Sequence, residues 1–196
     1  MDLEQLQELL YQSLETEIGG VRVYETAVSC AVNADLKSEW QKYLEETRHH
    51  VELVQEIFGK VGLDTGAETP GRGTVRDLGE SLVVAMEKAK SAGLPAAAEI
   101  VAAECVVLAE TKDHQNWELL GQTLKDAPAE YVDAITPAWE GVEGQEDEHL
   151  YHTRGWAREL WFQSLGLPAQ LPPPEETQDV KSMKEAAEVE EARKQE

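Results

Sequence analysis

Cysteine, basic residues and long apolar runs are all scarce in this 196-residue chain, and each shortage closes off a class of function. The two cysteines, Cys30 and Cys105, stand alone within apolar helical stretches. They lack the paired spacing of a disulfide framework or a structural zinc site, and both are expected in the core. Lys and Arg number 17 against 39 Asp and Glu, a formal net charge of −22. Nucleic-acid affinity comes mostly from cations that neutralise phosphates, so this balance excludes a phosphate-binding surface and disfavours an anionic membrane. No run approaches the length of a membrane span. The first residues, Met1-Asp2-Leu3-Glu4-Gln5, carry neither a basic region nor an apolar signal core, so the cytoplasm is the expected compartment.

What is abundant is carboxylate, the donor that hard metal ions prefer, set within long stretches of helical periodicity. Leu3 to about Val32 carries a buried stripe through Leu6, Leu10, Leu14, Val21, Tyr24 and Val28, and the one charge on that stripe is Glu17. A buried carboxylate is rare unless paired or metal-bound. Gly19-Gly20 directly after it is costly inside a helix, so either the helix loosens there or other backbone comes close. Asn33-Ala34-Asp35 supplies turn and N-cap chemistry. The next helix runs back through Trp40, Tyr43, Leu44, Val54, Ile57 and Phe58 to Val61.

That second helix contains Glu46-Thr47-Arg48-His49, and Glu146-Asp147-Glu148-His149 repeats the pattern a hundred residues on. A Glu and a His three positions apart share a helix face, since a turn takes about 3.6 residues. The spacing selects His49, although the seam through Trp40 and Tyr43 puts His50 closer to its centre. Gly62 to Thr74 reads as a loop that begins a long crossover. Val75 to Ala92 is expected to be an accessory helix with Leu78, Leu82, Val83 and Met86 buried. Pro95 opens the third long helix, which runs to about Leu124. Of its acidic residues Glu99, Glu104, Glu110 and Asp113, Glu110 lies on the apolar face with Ala103, Val106 and Trp117, and Glu104 is the reserve. Asp126-Ala127-Pro128 breaks the chain before a last helix from about Ala129 to Ser164. Pro137 either kinks that helix or marks its start, with Thr136 as N-cap. Gly141 and Gly144, like Gly19 and Gly20, are expected to leave room beside the site for dioxygen, peroxide or a small substrate.

The expected architecture is all-α: a four-helix bundle of two antiparallel hairpins over residues 1–166, joined by a crossover with an accessory helix. Residues 167–196 read as a Pro-rich linker and a charged, solvated tail. Glu46 follows Glu17 by 29 positions and Glu146 follows Glu110 by 36, each pair straddling an expected turn, so the members of each half share a height in the bundle. Four carboxylates and two imidazoles suit a dinuclear iron or manganese site, and all five histidines, including His114 and His152, lie in these motifs or one turn away. Tyr24, seven residues after Glu17, faces the same way, as a hydrogen-bond donor, a radical sink or simply a core residue.

Tyr-Leu-Glu-Glu-Thr-Arg-His-His-Val-Glu-Leu-Val, whose Glu46 stands 29 residues after Glu17, resembles the corresponding segment of bacterial ferritin-like stress-response proteins of the YciE/YciF kind. Ala-Ala-Ala-Glu-Ile-Val-Ala-Ala-Glu resembles their third helix, and Glu17 with Tyr24 and Glu46 with His49 are similar to bacterioferritin and rubrerythrin. The resemblance implies a ferritin-like fold with two iron ions, manganese being the alternative. Metal ligands would be Glu17, Glu46, His49, Glu110, Glu146 and His149, with Tyr24 beside them. The implied activity is oxidation of ferrous iron by dioxygen or peroxide, or peroxide removal, in stress protection. A homodimer through helix faces is the expected assembly. The competing expectation is a metal-poor bundle with a structural or interaction role, its carboxylates paired with Arg22, Arg48 or Arg154.

Overall fold

In a computed structural model, residues 1–169 are described, and the expected charged tail lies outside them for all but its first residues. Among the described residues there are five helices and no strand: α1 (Leu3–Cys30), α2 (Ala34–Val61), α3 (Pro70–Ser91), α4 (Pro95–Thr123) and α5 (Ala129–Leu165). No helix is long and apolar enough to cross a membrane.

Local chemistry sets the ends. Asp2 caps α1 by accepting from the amides of Glu4 and Gln5, and Asn33 caps α2 from Asp35 and Leu36. The turn between them is fastened from α4, where Glu99 Oε1 accepts from the amides of Val32 and Asn33 at 2.7 and 2.6 Å. Gly62 and Gly166 end α2 and α5 in the left-handed conformation that glycine adopts without a Cβ penalty.

The α1, α2, α5 and α4 axes form a square in which α1 touches α2 and α4, and α5 touches the same two, with α3 laid across α1 and α4. Cross-helix contacts fix the directions. Thr16 meets Asn116 and Asn33 meets Glu99, so α1 and α4 are antiparallel. Glu39 meets Trp156 and His50 meets Gln145, so α2 and α5 are antiparallel too. It follows that α2 and α4 run parallel, which is why their connection must cross the length of the bundle. Two apolar cores result. One holds Tyr24, Leu36, Trp40, Tyr43 and Met86, the other Leu10, Phe58, Trp117, Leu120 and Ile135. Each fully buried Leu, Ile or Phe contributes roughly 1.5–3 kcal/mol.

Two expectations about the accessory helix are corrected, and the alternatives at Pro137 are decided. The accessory helix begins at Pro70, inside the stretch read as a loop. Thr69 caps it through the Arg72 amide, Pro70 occupies the first turn where no N–H is needed, and Arg72 plugs into the bundle. Glu8 and Gln12 close over Gly71: a Cβ there would lie 2.0 Å from Glu8 Oε1 and 2.3 Å from Gln12 Nε2, so these side-chain ends would have to move aside. Leu78 is 58 % exposed rather than buried, since α3 turns only one side to α1 and α4. Helix α5 starts at Ala129 and continues through Pro137. The Thr136 hydroxyl donates to the Val132 carbonyl at 2.8 Å, so Thr136 sits within the helix and is not its cap. The Gly19-Gly20 pair sits in unbroken helix, and Gly20 serves close approach: a Cβ on it would be 3.2 Å from Thr47 Cγ2.

Candidate metal centre

Between the two apolar cores lies a polar layer supplied by all four long helices. Glu17 from α1, His50 from α2, Glu110 and Asp113 from α4, and Glu146 and His149 from α5 are all buried. Two three-residue sets present ligand atoms within 4.8 Å of one another: Glu17, His50 and Glu146, and Glu110, Glu146 and His149. Glu146 belongs to both. Its Oε1 lies 3.0 Å from His50 Nδ1 and 3.5 Å from His149 Nδ1. Glu17 Oε2 is 3.6 Å from His50 Nδ1, and Glu110 Oε2 is 3.8 Å from His149 Nδ1. The two imidazoles stack 5.9 Å apart.

Both rings turn Nδ1 inward because Nε2 is held from outside. His50 Nε2 meets Gln145 Oε1 at 2.8 Å, and His149 Nε2 meets Glu46 Oε2 at 3.0 Å. Each hairpin thus orients the other's histidine: α5 supplies Gln145 to the α2 ring, and α2 supplies Glu46 to the α5 ring. Such outer partners commonly fix the tautomer and direction of metal-binding imidazoles. Glu17 is anchored by Trp117 Nε1, which donates to its Oε1 at 2.7 Å and leaves Oε2 facing the layer.

Buried polar atoms are normally satisfied, yet here Glu17 Oε2, Glu110 Oε2, Asp113 Oδ1, Glu146 Oε2, both Nδ1 atoms and the Tyr24 hydroxyl lack an aligned hydrogen bond from the protein. At about 1–3 kcal/mol for each unsatisfied group, the penalty reaches the order of 10 kcal/mol, the whole stability of an ordinary domain. The protonation behaviour reflects the same crowding. Burial pushes the Glu17, Glu110 and Asp113 carboxyls up, and the neighbouring carboxylates add to it. Burial works to lower His50, but Glu146 and Glu17 outweigh it and hold the imidazole up to about 11. Burial likewise opposes ionisation of Glu146, where the charges and hydrogen bonds of His50 and His149 prevail and keep it below the ordinary value.

The expected residues divide cleanly. Glu17, Glu110, Glu146 and His149 are brought together. His49 is not: its side chain is 63 % exposed and meets only Glu52, because the face of α2 through Trp40, Tyr43, Thr47 and Val54 carries His50 inward. Glu46 also moves outward, to the rim, where its contact with the layer is the His149 ring. Glu104 lies at the surface and accepts from Trp161. Tyr24 is fully buried with its ring 6.0 Å from His149, and burial and Glu110 push its phenol well up. Arg22 and Arg48 are occupied at the surface by Glu80, Glu25 and Glu45, and so do not neutralise the layer. Gly141 and Gly144 are exposed with nothing near their Cβ positions, whereas Gly19 and Gly20 line a cavity against α3. Asp113 was visible as one of the acidic residues of α4, three positions from Glu110 and therefore on its face; that spacing was the available signal.

The donor set fits a metal. Oxygen and imidazole donors converge, with no thiolate nearby, since Cys30 and Cys105 are buried elsewhere in the core. Comparison with family models, with curated protein sequences and with solved structures returned no match.

Proposed function

We propose that this protein is a ferritin-like dinuclear metal carboxylate protein that oxidises ferrous iron or removes peroxide, as in the bacterial stress-response proteins its sequence resembles. The observation that carries this reading is Glu146, a single buried carboxylate common to two otherwise separate three-residue sets. A shared carboxylate is what holds two ions together. Charge supports the number two: Glu17, Glu110, Asp113 and Glu146 carry four negative charges when ionised, which two divalent cations balance with both imidazoles neutral. Helix order and direction also agree with a ferritin-like bundle, in which one long crossover links two antiparallel hairpins.

Glu17, His50, Glu110, Glu146 and His149 would hold the ions, and ferrous iron bound there would supply the electrons that reduce dioxygen or peroxide. The chain's own part is positioning. Trp117 anchors Glu17, Gln145 and Glu46 aim the two imidazoles, and the apolar cores above and below exclude water, which strengthens every charge interaction inside. Carboxyls held partly protonated by burial release protons as cations arrive, so uptake is coupled to proton release. Anaerobic titration with ferrous iron, read by metal analysis and by thermal melting, tests the reading. Saturation at two ions per chain, with a raised melting temperature and proton release, is expected. Saturation at one ion, or no binding at all, would refute it.

A further inference from the structure

We propose that the groove between α1, α3 and α4 binds a small amphipathic monocarboxylate, with its apolar body against Leu82 and Leu108 and its carboxylate on Lys112. The groove encloses about 270 Å³, close to the roughly 300 Å³ at which small-molecule sites begin, so it suits a medium-chain or single-ring acid. Gly19, Gly20 and Gly79 keep its floor low, and no atom lies within 4 Å of a Cβ built on Gly19. Two of its lining leucines, Leu78 and Leu108, are 58 % and 61 % exposed, so the described residues leave their apolar surface uncovered.

The polar groups around the groove are committed, with one exception. Glu15 is gripped by Arg72 and Arg76. The Thr16 hydroxyl donates to the Gln12 carbonyl and accepts from Asn116, and the Ser81 hydroxyl donates to the Leu78 carbonyl. Lys112 is half-buried, makes no ion pair among the described residues, and meets only the Asn116 side-chain oxygen. An ammonium has three donors, so two remain for a ligand. Lys112 is the only cationic side chain among the groove's lining residues, in a chain of net charge −22. The same charge disfavours a second copy as the occupant, because two strongly acidic surfaces would be pressed together around one lysine on each side.

Because the groove faces away from the polar layer, its occupancy is tested on the metal-free full-length chain, independently of any metal binding. Octanoate serves as probe and octanol as its neutral counterpart, both followed by calorimetry. One octanoate per chain is expected, with octanol at least tenfold weaker. Lys112→Gln should remove that tenfold preference. Gly19→Leu should weaken octanoate at least tenfold with an unchanged or raised melting temperature, since leucine favours the helix and a Cβ at this position meets nothing within 4 Å. Absence of saturable binding overturns the proposal, as does equal affinity for octanol or indifference to Lys112→Gln. Sedimentation showing a dimer that Leu108→Glu dissociates would overturn it by assigning the face to a second copy.

Discussion

Glu15 and Glu17 lie two residues apart on α1 and both are buried, yet their surroundings are opposite. Glu15 faces α3, where Arg72 Nε reaches its Oε2 at 2.7 Å and Arg76 Nε reaches its Oε1 at 2.9 Å. Burial pushes the Glu15 carboxyl up, but the hydrogen bonds and charges of Arg76 and Arg72 together outweigh it and hold it below the ordinary range. Arg72 is completed in turn by the carbonyls of Thr65 and Ala67. Glu17 faces the bundle axis, where its neighbours are three more carboxylates, two imidazoles and one indole. The first carboxylate is part of a finished structural joint that seats the accessory helix. The second belongs to a layer in which four carboxylates face two imidazoles and, among the described residues, no guanidinium or ammonium pairs with them. Burial of a carboxylate alone therefore does not mark function; a buried excess of carboxylates over cationic partners does.

The sharpest way to break the contrast is Glu146→Gln, which removes the shared ligand. Ferrous affinity at both positions should fall by more than the 10–100-fold typical of losing an outer partner, as read by anaerobic metal titration. If one ion still binds as before, the sharing of Glu146 is wrong. Arg72→Met attacks the other region. It leaves Glu15 with Arg76 alone and should cost about 3 kcal/mol in urea unfolding, the lower end for a broken buried pair, with metal affinity unchanged. Glu46→Gln comes next. It frees the outer nitrogen of His149 and should weaken metal binding about 10–100-fold with little effect on melting.

The pH response separates the two regions by sign. In the metal-free protein the raised carboxyls of Glu17, Glu110 and Asp113 bind protons more tightly folded than unfolded, so stability falls as pH rises above their ordinary values of 4.5, 4.5 and 3.8. His50 acts in the same direction: its contribution is full below 6.5 and fades as pH approaches about 11. Glu15 acts oppositely, with stability present above 4.5 and lost on acidification. Between about pH 5 and 8 the metal-free melting temperature should therefore decline, and Asp113→Asn should flatten the slope. Excess divalent metal should reverse it, because the ligands must be deprotonated. A metal-free melting temperature that rises from pH 5 to 8 would contradict the layer described above. The smallest effect is expected of His49→Ala: within about 0.5 kcal/mol in stability and no change in metal affinity, as for an exposed side chain.

Much of this was legible in the residue order. Periodicity, Asn33 as a cap, and Gly62 and Gly166 as stops mark the helices, and a lone charge on an apolar stripe singles out Glu17. Glu110, Glu146 and His149 follow from the same stripes on their own helices. What the stripes leave open is rotation. Neighbouring residues on a helix differ by about 100° in direction, so a small turn of α2 about its axis exchanges His49 for His50 and carries Glu46 to the rim. That turn is set by what α2 packs against, with Trp40, Tyr43 and Val54 filling the spaces offered by the other helices. The start of α3 was hidden for a similar reason. Thr-Pro-Gly-Arg-Gly reads as loop until Arg72 finds Glu15, 57 positions away in the chain. The sequence by itself determined that four long helices form and that Glu17, Glu110, Glu146 and His149 lie on their inward faces. The tertiary structure decided which imidazole completes the layer and which carboxylate orients it, because helix rotation and long-range ion pairs are properties of packing between segments and not of any one of them.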